Sequence, residues 1–182
     1  KETLVGNVST SLNGDRAVCR AQECDMGNMV ADAMRGAVID KGYTIALANS
    51  GGIRASLDAG DVTLGEVMTI LPFQNTLSTF KVTGKQLLEA IENGVSEHED
   101  GAGRFPQVSG MRFSFDPSRP AGQRVTSIET QDKYGWSAEE FTSDGKAKLD
   151  DTILMRRKST GTLVNDAILS GKRLYFFLPA LV

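Results

Sequence analysis

Tyr43-Thr44-Ile45-Ala46-Leu47-Ala48-Asn49-Ser50-Gly51-Gly52-Ile53-Arg54 is an apolar run that ends in a glycine-rich turn and an arginine. Tyr43–Ala48 reads as a strand, which the turn Asn49-Ser50-Gly51-Gly52 terminates. Adjacent glycines at a strand end let the backbone turn sharply and approach a ligand closely. Just beyond them, Arg54 offers a planar fork of donors suited to carboxylate, phosphate or a ribose edge. Asn49 adds a donor and an acceptor for a heteroaromatic ring or a hydroxyl. No Gly-Lys-Ser/Thr follows, so this is not a P-loop. By itself, a Gly-Gly turn beside an arginine also fits an ordinary loop.

Upstream, the spacing of Met26, Met29, Val30, Ala33, Met34 and Ala37 predicts an amphipathic helix, with Asp25 as its N-cap and Gly42 as a stop. Downstream, Thr63 and Glu66 make a capping-box pattern, with Val62 and Val67 at the staple positions, and Pro72 ends that helix at Leu71. Thr76–Val82 alternates as a strand. Thr83 and Gln86 open another capped helix that turns Leu87, Leu88, Ile91 and Val95 inward. Val108–Phe115 and Arg124–Thr130 read as two strands joined around Asp116-Pro117. Thr160–Ser170 reads as a helix ended by Gly171, and Leu174–Leu178 as a closing strand. Helices and strands mix without strict βαβ alternation, which predicts an α+β fold with a mixed sheet flanked by helices.

Composition fits a single domain, 1–182: 182 residues, 40% hydrophobic and 24% charged. A net charge of −3 excludes a general affinity for nucleic acid, and the short runs Arg156-Arg157-Lys158 and Lys172-Arg173 read as solvated surface. The longest apolar stretch, near Leu174–Val182, is too short to span a bilayer. A start at Lys1 suggests a mature product or a fragment. The two cysteines, Cys19 and Cys24, permit a local disulfide in an exported protein; the alternative is two unrelated reduced thiols. His98 is the only histidine, so no metal site is expected, and Glu97-His98-Glu99-Asp100 reads as a solvated helix end.

Two further candidates stand beside the glycine turn. Pro72 can present Phe73 outward to stack on a flat ligand, although Phe73 could equally fill core. Arg20, inside the Cys19–Cys24 loop and just before a helix start, is either an anion-binding group or a surface arginine.

Taken in order, several segments resemble the C-terminal domain of the 5′-nucleotidase family, which includes UDP-sugar hydrolases and ecto-5′-nucleotidases. They are Cys19-Arg20-Ala21-Gln22-Glu23-Cys24 with Met26–Arg35, Asn49–Arg54, Gly60-Asp61-Val62-Thr63, Leu71-Pro72-Phe73, Leu87-Leu88-Glu89-Ala90 and Gly103–Gly110. They cover roughly residues 5–130, and the Cys-Arg-x-x-Glu-Cys pattern is similar to the animal-type members. The resemblance implies a substrate-recognition role in nucleotide catabolism. Arg20, Asn49 and Arg54 would serve the ribose and base region, Phe73 would be half of an aromatic clamp, and Gly51 and Gly52 would allow close approach. It implies no catalytic residue and no cofactor in this chain. A divalent metal pair such as zinc would sit in an N-terminal metallophosphoesterase domain absent from this sequence, and that domain and a nucleoside or nucleotide would be the partners. The implied location is extracellular, cell-surface or periplasmic. The chain departs from the family in lacking its Phe-Leu-x-x-Gly-Gly-Asp-Gly-Tyr stretch, of which Tyr134-Gly135-Trp136 or Phe141–Gly145 would be the remnant. Two other readings remain: a stand-alone exported nucleoside-binding module, or a structural or homodimerisation domain that has lost its ligand.

Overall fold

The computed structural model describes residues 2–132, 135–138 and 174–176. Its first half runs β1 (Leu4–Val8), α1 (Arg16–Cys19), α2 (Asp25–Gly36), β2 (Ile45–Asn49), β3 (Gly60–Thr63) and α3 (Leu64–Ile70). The remainder is β4 (Ser78–Phe80), α4 (Gly84–Val95), β5 (Pro106–Ser109), β6 (Met111–Phe115), β7 (Val125–Asp132), β8 (Gly135–Ala138) and β9 (Leu174–Phe176). Among the described residues the strands form three sheets, β1-β3, β4-β9-β2-β5 and β6-β7-β8. Only the four-stranded sheet is mixed: β9 runs parallel to β2 and antiparallel to β4, while β5 is antiparallel to β2. The α+β expectation therefore holds, with two small antiparallel sheets added to the mixed one.

The apolar run at 45–48 has a simple cause. β2 is buried on both faces, and its alternating side chains enter two different cores. Ala46 and Ala48 share one core with Met26, Val30 and Met34 of α2. Ile45 and Leu47 share the other with Leu87, Ile91 and Val95 of α4, together with Phe105, Met111 and Val125. Small residues on the α2 side and large ones on the α4 side set how closely each helix approaches the sheet. β2 then delivers Asn49 and the glycine turn at its carboxyl end.

Both predicted capping boxes form, at Thr63–Glu66 and Thr83–Gln86, and α3 ends at the Leu71 C-cap before Pro72. Several details differ from expectation. Cys24, not Asp25, is the N-cap of α2: it is extended, and its Sγ accepts from Gly27 N–H at 3.3 Å. Asp25 becomes the first helical residue, where its charge still favours the helix start. Met29 is 43% exposed and Ala31 is buried in its place. Helix α2 stops at Gly36, and Gly42 instead caps a short 3₁₀ turn at Ile39–Lys41. Val67 lies exposed, so the staple with buried Val62 is incomplete. The single strand expected at 108–115 is two strands in two sheets, because Gly110 takes φ 72° and redirects the chain between β5 and β6. The expected helix at 160–170 lies outside the described residues.

Candidate functional site

Three chain segments meet at the carboxyl end of β2. The glycine turn is held by Ser50 N–H donating to Phe105 O at 2.9 Å and Gly51 N–H donating to Gly103 O at 2.8 Å. Asn49 Nδ2 and Ser50 Oγ donate to the same Gly103 carbonyl at 3.4 and 3.5 Å. This contact requires two glycines face to face: a Cβ on Gly51 would lie 3.0 Å from Gly103 Cα, and one on Gly103 would lie 3.0 Å from Gly51 Cα.

The loop carrying Arg20 comes in from α1. The Cys19–Cys24 disulfide forms, with a Cα–Cα distance of 5.1 Å. Gln107 on β5 fixes the same loop: its buried amide donates to Cys19 O and Gln22 O, both at 2.8 Å, and accepts from Cys24 N–H at 3.3 Å. Arg20 Nη1 thereby reaches Gly101 O at 3.3 Å, against the loop that carries Gly103. Arg54 Nη1 donates to Gly51 O at 3.2 Å, and its Cζ lies 5.6 Å from the centroid of Phe73. Phe73 is 55% exposed, so it is not core. The next residue, Gln74, has φ 52°, an uncommon conformation for a residue with a side chain.

The structure thus brings Arg20, Asn49, Gly51 and Gly52 together around one backbone contact, with Arg54 and Phe73 at its edge. Two polar atoms in this cluster, Arg20 Nε and Asn49 Oδ1, are buried and meet no hydrogen-bonding partner among the described residues. Burial first, then the like charges of Arg16 and Arg54, hold the Arg20 guanidinium below its ordinary pKa. The sequence alone gives no role to the Gly101–Gly103 loop or to Gln107, although Gly103 and Gln107 both lie in the Gly103–Gly110 segment. Tyr134 and residues 141–145, offered as a clamp remnant, lie outside the described residues; Trp136 sits in β8 opposite Gln131.

Residues 97–100 are occupied structurally. Glu97 pairs with Arg104, Glu99 pairs with Arg124, and His98 Nε2 lies 3.0 Å from Ala21 O. Among the described residues no group of three His, Cys, Asp or Glu side chains is placed to hold a metal ion. A cavity of about 230 Å³, lined among others by Gln22, Glu23, Asn28, Gln107 and Phe113, includes none of the predicted ligand-binding residues.

Residues 4–153 match the family model described as 5′-nucleotidase, C-terminal domain. The chain belongs to that family. This 5′-nucleotidase C-terminal domain is 42% identical over 136 residues to the trifunctional nucleotide phosphoesterase protein YfkN of Bacillus subtilis, covering 74% of this chain and 9% of that one. It is 34% identical over 135 residues to the snake venom 5′-nucleotidase of Crotalus adamanteus, covering 68% of this chain and 23% of that one. Among solved structures, the 5′-nucleotidase precursor from Thermus thermophilus superposes with a TM-score of 0.77 at 37% identity, over 96% of this chain and 29% of that chain. The chain spans about a quarter or less of the length of these curated relatives. No helix among the described residues is long and apolar enough to cross a membrane.

Proposed function

We propose that this domain recognises the nucleoside part of a nucleotide for a hydrolase whose chemistry resides in a separate N-terminal domain. The observation that carries the reading is the pair of unpartnered buried atoms, Asn49 Oδ1 and Arg20 Nε, beside an exposed aromatic ring. A buried polar atom without a partner is costly, and a bound ligand satisfies it. A base would stack on the face of Phe73 that Arg54 leaves free, and ribose or base edges would meet Asn49, Arg20 and Arg54. The Gly51–Gly103 contact closes the floor of this site, since neither residue puts a side chain between the two backbones. A divalent metal pair such as zinc, held by the N-terminal domain, would supply the hydrolytic chemistry. The names of the relatives, nucleotidases among them, support hydrolysis of nucleotides, and the snake venom enzyme supports a place outside the cell.

One stacked ring contributes roughly 1–3 kcal/mol and each net hydrogen bond about 1 kcal/mol. Lost ligand freedom costs at least about 4 kcal/mol, so nucleoside affinity for this chain is no better than about millimolar. Adenosine titration followed by NMR tests the reading. Amides of Asn49–Arg54 and Phe73 should shift, and Phe73→Ala should remove the shifts while the thermal melt stays unchanged, because the ring is exposed. Shifts absent from those amides at millimolar adenosine, together with a mutant that melts far lower, return Phe73 to a structural role and overturn the reading.

A further inference from the structure

Two sets of arginines differ in how their charge is met. Arg104, Arg112, Arg119 and Arg124 are ion-paired with Glu97, Glu129, Asp116 and Glu99. Arg16, Arg20 and Arg54 meet no carboxylate among the described residues, and Arg20 and Arg54 donate only to the neutral carbonyls of Gly101 and Gly51. Arg16 is exposed on α1, four residues before Arg20, and like charges at that spacing repel. Asp15, the residue before Arg16, accepts from Ala17 N–H as the cap of α1 and forms no ion pair with Arg16. Helix α1 packs against the Ser50–Gly52 turn, so a chain with a net charge of −3 sets three guanidiniums without ion pairs near it, where Arg20 feels the charge of both others.

We propose that Arg16 is a third recognition arginine of this site, and that the domain prefers nucleotides carrying a second anionic group, a phosphate or carboxylate beyond the phosphate that is hydrolysed. The inference rests on the nucleoside-binding reading above. Arg54 donates to the glycine turn itself and Arg20 to the loop that faces it, where ribose would lie. Arg16 adds charge on the α1 side of Arg20, beyond what a neutral ribose can use. A second anion placed there neutralises the set that the fold leaves unneutralised.

The test compares adenosine 5′-phosphate with adenosine 3′,5′-bisphosphate by NMR titration of the full chain at low salt. The bisphosphate should bind about fivefold tighter, the upper range for one exposed ion pair. That preference should shrink with added salt, because exposed charges are screened. Arg16→Gln should bring the ratio of the two affinities close to one, and Arg16→Lys should keep part of the preference. An unchanged thermal melt of Arg16→Gln shows that the fold is intact. A ratio near one in the unaltered chain, or a preference that Arg16→Gln preserves, overturns the role of Arg16 while leaving nucleoside binding in place if the Phe73 amide still moves. An Arg16-dependent preference without movement of the Asn49 or Phe73 amides keeps the anion site and removes the nucleoside reading. No movement with either ligand removes both.

Discussion

Gln107→Leu should destabilise this domain far more than a swap of similar volume ordinarily does. The side chain is 1% exposed, and it makes two 2.8 Å bonds to the carbonyls of Cys19 and Gln22 and a longer one from Cys24 N–H. Leucine fills nearly the same space, so the cavity contribution is small. What is lost is hydrogen bonding, and each stranded buried group costs about 1–3 kcal/mol. Gln22 is exposed and its carbonyl can turn to water, whereas that of buried Cys19 cannot as easily. The loss should therefore be about 2–4 kcal/mol, a large part of the roughly 5–15 kcal/mol available to a domain. For this chain length that corresponds to a fall in Tm of about 5–15 °C. Urea melts with linear extrapolation measure the loss. Because the same amide positions the loop that carries Arg20, amide shifts around residues 20–22 should accompany it. A loss below about 1 kcal/mol, with those amides unmoved, would show that the disulfide alone holds the loop and would refute the reasoning.

Replacing both Cys19 and Cys24 by alanine should cost about 2 kcal/mol or less from chain entropy, given the short ring. Mass spectrometry of the unreduced protein should find neither thiol alkylated. Gly110→Ala should fold poorly: its φ is 72°, and a Cβ there would lie 1.9 Å from Thr44 O, so a melt at or above the parent temperature contradicts the assigned turn. Glu66 is held below its ordinary carboxylate pKa, first by the Thr63 hydroxyl and then by the Thr63 backbone N–H. A depressed folded-state pKa gives stability that is present above the unfolded value and lost as pH falls through the folded one. Acid should therefore loosen α3 below about pH 4, and Glu66→Gln should flatten that part of the stability curve, as read from pH-dependent melts.

Local rules carried most of the fold. The capping boxes, the stop before Pro72 and the apolar stripe of α4 depend on residues within a turn or two of one another. What escaped were features set at a distance. β1 has mostly exposed residues and exists because it pairs with β3 across more than fifty positions, so its own sequence carries no apolar alternation to read. Gly110 looked like one residue inside a strand, although its positive φ divides two sheets. The N-cap role of Cys24 was hidden because a disulfide sulfur is a poor guide to capping, and the adjacent Asp25 is the usual choice. In the site, Arg20, Asn49, Arg54 and Phe73 were legible as residue types suited to a ligand. Their support was not, since the carbonyls of Gly101 and Gly103 and the amide of Gln107 come from 54 to 88 positions away.

The facing glycines at 51 and 103 also limit how this surface can change by descent. With backbone 3.0 Å from where either Cβ would sit, a methyl at one position is admitted only if the other strand of chain yields. The two positions are therefore coupled: a side chain at either one demands a shift of the facing backbone by a few tenths of an ångström, and side chains at both would compete for the same gap, whereas Arg16, Arg54 and Phe73 lie outside that contact.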